Sequence, residues 1–367
     1  MPEYNHIPYF TLPLYTCLFL RTVQGFKQLL FSTALQLLFL SGIIRTQAGI
    51  LFETDLRLRP DGAAGLMVSS MDAFRRYQRE SAWVWEHQAL TRARFCAGDP
   101  AVGTRFEEIR CEILRQPRDL AAEICRIQNE KLAEMCARHP DRFVAYASVT
   151  LQDPKLAAEQ LEHAVKKLGM KGAAIGGSVA GQDFHMEKFH PVWAKAEELG
   201  CVLFIHPQST PQLNDRFKGN GWLANTIGNP LDTTIALQHL IFEGTLDKYP
   251  GLKIIAAHGG GYLGSYAPRS DHACFVSPQN CNPDIKLKKK PTEYLNQLYF
   301  DALVFTPEAL RHLVAQVGAS QVVLGTDHPI PWEEHPVDHV FATTTLSDKD
   351  KAAILGLNAA KLFGMKV

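Results

Sequence analysis

Residues 232–261 read DTTIALQHLIFEGTLDKYPGLKIIAAHGGG. The first part of this stretch predicts a helix over residues 232–248, and the apolar run after Pro250 predicts a strand that ends at His258. The glycines at 259–261 end the strand and allow a ligand to approach the backbone closely. A helix that leads into a strand with a polar residue at its end is the repeating unit of a parallel α/β sheet.

The same unit recurs on both sides of this stretch. Six strands in all predict a parallel sheet covered by helices, either most of a (β/α)8 barrel, which needs eight strands, or an open doubly wound sheet. No Gly-rich phosphate-binding fingerprint follows any of the strands, which disfavours a dinucleotide-binding protein. The other predicted helices are 120–139, 154–168, 189–199, 307–317 and 347–362, and the other predicted strands are 142–150, 171–179, 201–207, 298–305 and 321–329.

Three polar residues follow apolar strands: His206 after CVLFI, His258 after KIIAA and Asp327 after VVLGT. The carboxyl ends of parallel strands surround the active site of a barrel. Imidazole nitrogens and a carboxylate are ligands for zinc or a similar divalent ion. A single histidine at a strand end is usually structural, but three such residues on separate strands predict a metal centre.

Further candidates lie in the segments between strands. Arg269, in the predicted loop YAPRSDH, is suited to binding a substrate carboxylate or is an ordinary surface residue. Trp222 and Trp332 either form the wall of an aromatic pocket or cover the core, and the pocket is favoured for Trp332. Asp301, at the end of a strand, either orients a metal-site residue or accepts hydrogen bonds from backbone donors.

Six motifs in this order resemble the amidohydrolase-related family: RHPDRFVAYASVTLQDP, GMKGAAIGG, FHPVWAKAEELGCVLFIHPQ, FEGTLDKYPGLKIIAAHGGGYL, YFDALVFTPEALRHLV and VVLGTDHPIPW. The resemblance is greatest to the branch of aminocarboxymuconate-semialdehyde and resorcylate decarboxylases. It implies a metal-bearing TIM-type barrel over residues 119–367, with His206 and Asp327 as metal ligands. It also implies that His258 is the catalytic acid/base and that Arg269 grips a substrate carboxylate, in some members across a homodimer interface.

The chain departs from this family at its first strand. Members begin with a strand that ends in His-x-His and supplies two metal ligands, but no two histidines of this chain have that spacing. The second strand is also missing, so the fold expected is a (β/α)8 barrel without its first two strands. Loss of two ligands weakens metal binding, and loss of two strands exposes sheet edges.

Another resemblance precedes the barrel. The motifs FETDLRLRPDGAAGLMVSS and AFRRYQRESAWVWEHQALTRARFCAGD are similar to glutamine synthetase adenylyltransferase and imply an α+β nucleotidyltransferase-like fragment over residues 49–118. Asp55 matches a carboxylate of the magnesium site, but the upstream motif with the other carboxylates is absent, so Asp55 is expected to be a relic. Residues 1–48 stay unassigned, and the chain is interpreted as a fusion of two fragments.

The sequence leaves several functions open. The first is a metal-dependent decarboxylase of a small aromatic or muconate-type carboxylate, with zinc as the expected metal. The others are a hydrolase that uses the same residues, a fragment of an adenylyltransferase that acts on glutamine synthetase, and a fusion protein without catalytic activity. Lys and Arg number 38, as do Asp and Glu, and the zero net charge disfavours nucleic-acid binding.

The expected location is the cytoplasm. The 8 cysteines show no Cys-x-x-Cys spacing and are expected to be reduced thiols, with a Cys274–Cys281 pair or metal site as the less favoured alternative. Residues 29–44 are uncharged and mostly apolar, but the run is shorter than the roughly 20 residues of a membrane span. A buried helix is therefore favoured over a membrane anchor.

Overall fold

The computed structural model describes residues 118–140, 143–208, 210–327, 332 and 336–365. The predicted fragment over 49–118, the apolar run 29–44 and Asp55 lie outside these residues, apart from residue 118 itself. The strands of the described part are β1 Gly172–Ile175, β2 Val202–Ile205, β3 Lys253–Ala256, β4 Leu298–Asp301 and β5 Val322–Val323.

Ten α-helices cover or connect these strands within the described residues. In chain order they are α1 Arg118–Arg138, α2 Pro154–Leu168, α3 His190–Leu199, α4 Asn229–Phe242, α5 Thr245–Lys248, α6 Leu263–Val276, α7 Pro307–Val317, α8 Asp338–Ala342, α9 Asp348–Ala352 and α10 Asn358–Leu362. Local sequence explains the clearest boundaries: Asp153 and Thr306 accept hydrogen bonds from the first turns of α2 and α7, and each helix has proline in its first turn. The predictions of helices 154–168 and 307–317 are confirmed.

All neighbouring strands are parallel, and their order in the sheet is β1-β2-β3-β4-β5. Each strand therefore lies beside the next one along the chain. A doubly wound sheet reverses its strand order at a switch point, and no reversal occurs among the described strands. The predicted parallel α/β sheet is confirmed.

The strand predicted at 142–150 is reduced to a single parallel bridge between Ala147 and Ala173. The segment bonds to β1 and the residue before it through the carbonyl of Ala145 and both backbone groups of Ala147. Asn129 of α1 bonds both the N–H and the carbonyl of Ser148, at 2.8 and 2.9 Å, and Gln160 of α2 accepts the N–H of Thr150 at 2.8 Å. These side chains take the place of a neighbouring strand on the edge that faces away from β1.

The loop predicted at residues 266–272, YAPRSDH, is wrong. These residues lie in helix α6, which buries Leu263, Gly264, Ala267 and Ser270 at helical spacing despite Pro268 in its interior. A disulfide joins Cys274 to Cys281, whose Cα atoms lie 5.7 Å apart, so the expectation of reduced thiols is wrong for this pair. Cys125 and Cys201 are free and buried, as expected.

The two faces of the sheet pack against different partners. One face carries side chains such as Leu203 and Ile205 and packs under the helices of the main core. Side chains of the opposite face, including Val202, Ile255 and Val323, form a second cluster with Leu362 and Phe363 at the C-terminal helix α10. The described part contains no helix that is both long and apolar enough to cross a membrane.

Phe363 is expected to stabilise the sheet strongly. Its side chain is 6% exposed, and its ring packs edge-on against Tyr146 with a centroid distance of 5.8 Å. We expect Phe363→Ala to lower the free energy of unfolding by about 3 kcal/mol, because burial and aromatic contact are lost together. Urea denaturation measures the change.

The matched control is Phe275→Ala, since Phe275 is 86% exposed. Its effect is expected to lie within about 0.5 kcal/mol of zero. Equal effects of the two substitutions would contradict packing of the C-terminal helix on the sheet.

Candidate active site

The three predicted residues converge at the carboxyl ends of their strands. The ligand atoms of His206, His258 and Asp327 all lie within 4.8 Å of one another. His206 Nε2 is 3.2 Å from Asp327 Oδ1, and His258 Nε2 is 3.4 Å from Asp327 Oδ2. The structure therefore brings two imidazoles onto the two oxygens of one carboxylate.

The hydrogen bond of His206 Nδ1 determines whether Nε2 of the same ring presents a lone pair or a proton. Nδ1 lies 3.0 Å from the carbonyl oxygen of Pro207, which only accepts hydrogen bonds, so Nδ1 carries the proton. In the neutral ring Nε2 then points a lone pair towards the Asp327 carboxylate. A lone pair and a carboxylate repel each other unless a proton or a cation lies between them. This arrangement fits a divalent metal ion.

Electrostatics at Asp327 also require positive charge beside the carboxylate. Burial raises the pKa of this carboxyl, but with both rings protonated the hydrogen bonds from His206 and His258 and the charges of these rings outweigh burial and hold the pKa well below its usual range. The site thus favours an anionic carboxylate in a buried position. Such a group needs positive charge beside it, from protonated imidazoles or from a metal.

The backbone at the site is unusual. His258 and Asp327 have positive φ angles of 57° and 53°, a conformation that non-glycine residues rarely adopt. Residues held in this region cluster at functional sites, where the surrounding structure compensates the strain.

Asp301 supports the turn that contains His258. Its Oδ1 accepts the N–H groups of Gly259, at 3.0 Å, and Leu303, at 3.1 Å. Burial raises its pKa, although the His258 charge and the backbone donors oppose the shift. The two roles considered for Asp301 are therefore combined, since the backbone donors it binds belong to the turn beside His258.

The glycine run serves packing rather than ligand access. A Cβ at Gly259 would lie 2.6 Å from Val304 Cγ1, and one at Gly261 would lie 2.1 Å from the Pro230 carbonyl oxygen. The close approach expected from these glycines is therefore to neighbouring protein segments. They hold the turn after β3 against β4 and α4.

Three aromatic side chains form a second group. Trp222 and Trp332 stack with a centroid distance of 5.5 Å and an interplanar angle of 14°. Phe305 packs edge-on against Trp332 at 6.3 Å. Trp222 and Phe305 are 36% and 47% exposed, so the group presents aromatic surface to solvent.

Arg269 does not join either group. It lies on helix α6, not in a loop as predicted, and it is exposed. Within the described residues it forms no hydrogen bond or ion pair with His206, His258 or Asp327. The buried side chains at helical spacing determine the helix.

Sequence reasoning missed Asp232, a buried carboxyl in the first turn of α4. Its Oδ2 accepts the N–H of Gln208 at 2.9 Å, two residues after His206. A Cβ at Gly177 would lie 2.4 Å from the same oxygen, so the loop after β1 also packs on Asp232. These contacts join segments that are distant in sequence, so no local motif could predict them.

The comparisons with known proteins agree with this geometry. The model of the family described as amidohydrolase matches residues 112–365. The chain belongs to the amidohydrolase family. It is 31% identical over 254 residues to the 2-amino-3-carboxymuconate-6-semialdehyde decarboxylase of Dictyostelium discoideum, covering 68% of each protein.

A solved structure resembles this amidohydrolase-family region. It is the dihydroxybenzoic acid decarboxylase of Polaromonas sp. JS666 with bound manganese and the inhibitor 2-nitroresorcinol. The TM-score is 0.62 at 30% identity, over 68% of this chain and 77% of that chain.

The N-terminal resemblance also has a match. The family model described as glutamate-ammonia ligase adenylyltransferase matches residues 36–109. The bifunctional glutamine synthetase adenylyltransferase/adenylyl-removing enzyme of Aromatoleum aromaticum is 59% identical over 101 residues, which is 27% of this chain but 11% of that enzyme. The fused fragment is thus a small part of the enzyme it resembles.

Asp232 is expected to make stability depend on pH. Burial is the main cause that raises its pKa from 3.8 to about 6, with Asp183 adding to the shift and the Gln208 N–H opposing it. Between these values the folded protein holds a proton that the unfolded chain has lost. The contribution of Asp232 to stability therefore falls as pH rises, by up to about 3 kcal/mol above pH 6.

Asp232→Asn imitates the protonated carboxyl at every pH. The free energy of unfolding of this variant minus that of the wild type is therefore expected to increase between pH 4.5 and 7, because only the wild type loses the contribution of the bound proton. Urea denaturation at both pH values measures the difference. Asp215→Asn is the control, because the Asp215 side chain is 93% exposed. A pH-independent difference for Asp232→Asn would contradict the raised pKa.

Proposed function

We propose that residues 119–367 form a metal-dependent decarboxylase that acts on a small aromatic or muconate-type carboxylate. The convergence of His206, His258 and Asp327 at the strand ends carries this proposal. The fold of this region resembles that of a dihydroxybenzoic acid decarboxylase solved with manganese and 2-nitroresorcinol. A second relative is named as a decarboxylase of 2-amino-3-carboxymuconate-6-semialdehyde.

His206 and Asp327 are proposed as the metal ligands. Manganese, as in the Polaromonas structure, and zinc both accept imidazole and carboxylate ligands. A bound divalent ion polarises substrate oxygens and stabilises negative charge that develops during the reaction. Because no His-x-His pair completes the ligand set, metal binding is expected to be weak enough that the ion must be supplied in the assay.

His258 is proposed as the proton donor. In decarboxylation the bond between the substrate carbon and its carboxylate breaks, carbon dioxide leaves, and the electron pair stays on the carbon. That carbon then needs a proton, and the imidazole of His258, beside the anionic Asp327, supplies it. Asp301 holds the turn of His258 through Gly259 and acts as a positioning residue.

Substrate binding is proposed for Trp332 and Arg269. Trp332, stacked on Trp222, offers an aromatic surface for a flat substrate. Exposed Arg269 is proposed to grip a substrate carboxylate from a second copy of the chain, since the family resemblance implies that this arginine acts across a homodimer interface in some members.

The architecture proposed is a (β/α)8 barrel that lacks its first two strands. The strand order supports a barrel, because each of the five parallel strands lies beside the next one along the chain and the Ala147 bridge extends this order by one position before β1. The proposed division of the chain is 1–48, 49–118 and 119–367, with the barrel as the last unit.

The test is release of carbon dioxide from 2,6-dihydroxybenzoate by the full chain with added Mn²⁺ or Zn²⁺. We expect His258→Asn to lower kcat roughly 10²- to 10⁴-fold while metal content is unchanged, because only proton transfer is removed. Asp327→Asn is expected to lower metal content and activity together. Elemental analysis and detection of resorcinol measure the two quantities.

His312→Asn is the control, since His312 is exposed on α7 and its ring contacts Ser265. It should leave turnover unchanged. Absence of turnover in metal-loaded protein, or turnover unaffected by His258→Asn, would contradict the proposal. In the first case the family relationship describes descent rather than activity.

A further inference from the structure

A second group of metal-binding side chains lies apart from the site above. It consists of Asp183 and His185, in the loop after β1, and His239 on α4. One ligand atom from each residue lies within 4.8 Å of the other two. The proposed decarboxylase chemistry uses none of the three.

The distances within this group suit a shared ion better than direct hydrogen bonds. His239 Nε2 lies 3.5 Å from Asp183 Oδ2, beyond the usual 2.7–3.2 Å of a hydrogen bond. Two ligands at 2.0–2.1 Å from a tetrahedral zinc ion lie about 3.3 Å apart. The observed separation is therefore close to that of two ligands of one metal.

The His185 ring adds an independent observation. It stacks on the His239 ring, with a centroid distance of 4.6 Å and an interplanar angle of 21°, so one of the two rings has to turn before both direct a lone pair at one ion. Its Nδ1 atom is buried and has no hydrogen-bond partner among the described residues. A buried imidazole nitrogen without a hydrogen-bond partner is costly unless a cation or a water molecule satisfies it.

Charge around the group also favours a cation. Glu243 Oε1 lies 4.0 Å from His239 Nδ1, so two carboxylates flank the His239 imidazole. In the described part of the chain no Lys or Arg forms an ion pair with Asp183 or Glu243. The Asp183 and His239 side chains are 27% and 35% exposed, which leaves a path for an ion from solvent.

We propose that Asp183, His185 and His239 bind a second divalent transition-metal ion, of which Zn²⁺ is the representative, and that this ion fastens the loop after β1 to helix α4. Neutral imidazoles and a carboxylate are ligands of this class of ion, with water completing the shell. The ion has a structural role, because the same loop and helix meet at Gly177 and Asp232, and Asp232 holds Gln208 beside His206.

The test uses the full chain and Zn²⁺ itself. In the variant His206→Ala/Asp327→Ala the first site is removed, and we expect one Zn²⁺ per chain to remain after dialysis against micromolar Zn²⁺. Addition of Zn²⁺ should raise the midpoint of its thermal unfolding by several degrees. Adding His239→Gln or, separately, Asp183→Asn to this variant should abolish both the bound ion and the shift.

His163→Gln, in the same background, is the matched control, because His163 is an exposed histidine on α2. It should keep the bound ion and the shift. The proposal is overturned if the first-site variant retains no Zn²⁺, or if His239→Gln and Asp183→Asn bind as much as the His163→Gln control. Since the readouts are metal content and thermal stability, failure of the decarboxylase proposal leaves this result unaffected.

Discussion

The parallel register of the strands is the constraint on which the rest of the structure depends. Ile175 lies beside Ile205, and Ile205 beside Ala256, so the strands end at one edge of the sheet. His206 and His258 follow these ends directly or within two residues. A slip of one residue in a strand would turn its apolar side chains to the wrong face and move the histidines out of register with Asp327. Packing on both faces of the sheet therefore fixes the site.

Three buried carboxyl groups lie at or beside the candidate site, and their pKa values are shifted in different directions. Asp327 is held anionic by two imidazoles, whereas burial raises the pKa of Asp301 and Asp232. The latter two accept backbone N–H groups from Gly259 and Gln208, residues that adjoin His258 and follow His206. A metal site needs such surroundings because they orient the ligands and set their charge. Asp301 and Asp232 supply such surroundings for His258 and His206, although the chain lacks the His-x-His pair.

Two different family matches in one chain change the physical demands on the amidohydrolase-family region. The family match begins at residue 112, after a segment that matches a different enzyme over residues 36–109. Within the described residues, Leu362 and Phe363 cover apolar side chains on the face of the sheet opposite the main helices. This packing maintains a core around the five described strands, while the candidate metal ligands also depend on the strand ends and on the carboxyl groups that hold the adjoining turns. Fold and metal site can thus be preserved to different degrees in one chain.

The sequence by itself determined the alternation of helices and strands and the positions of His206, His258 and Asp327, because apolar periodicity and strand-end residues are local signals. It misplaced Arg269 in a loop, because the buried side chains that determine helix α6 become apparent only in the packed structure. Tertiary structure alone decided the short extended segment at Ala147, where Asn129 and Gln160 replace ladder partners. It alone also brought Asp183 and His185 to His239, 54 residues after His185 in sequence. Such contacts depend on which faces of distant elements meet, and no local pattern encodes that.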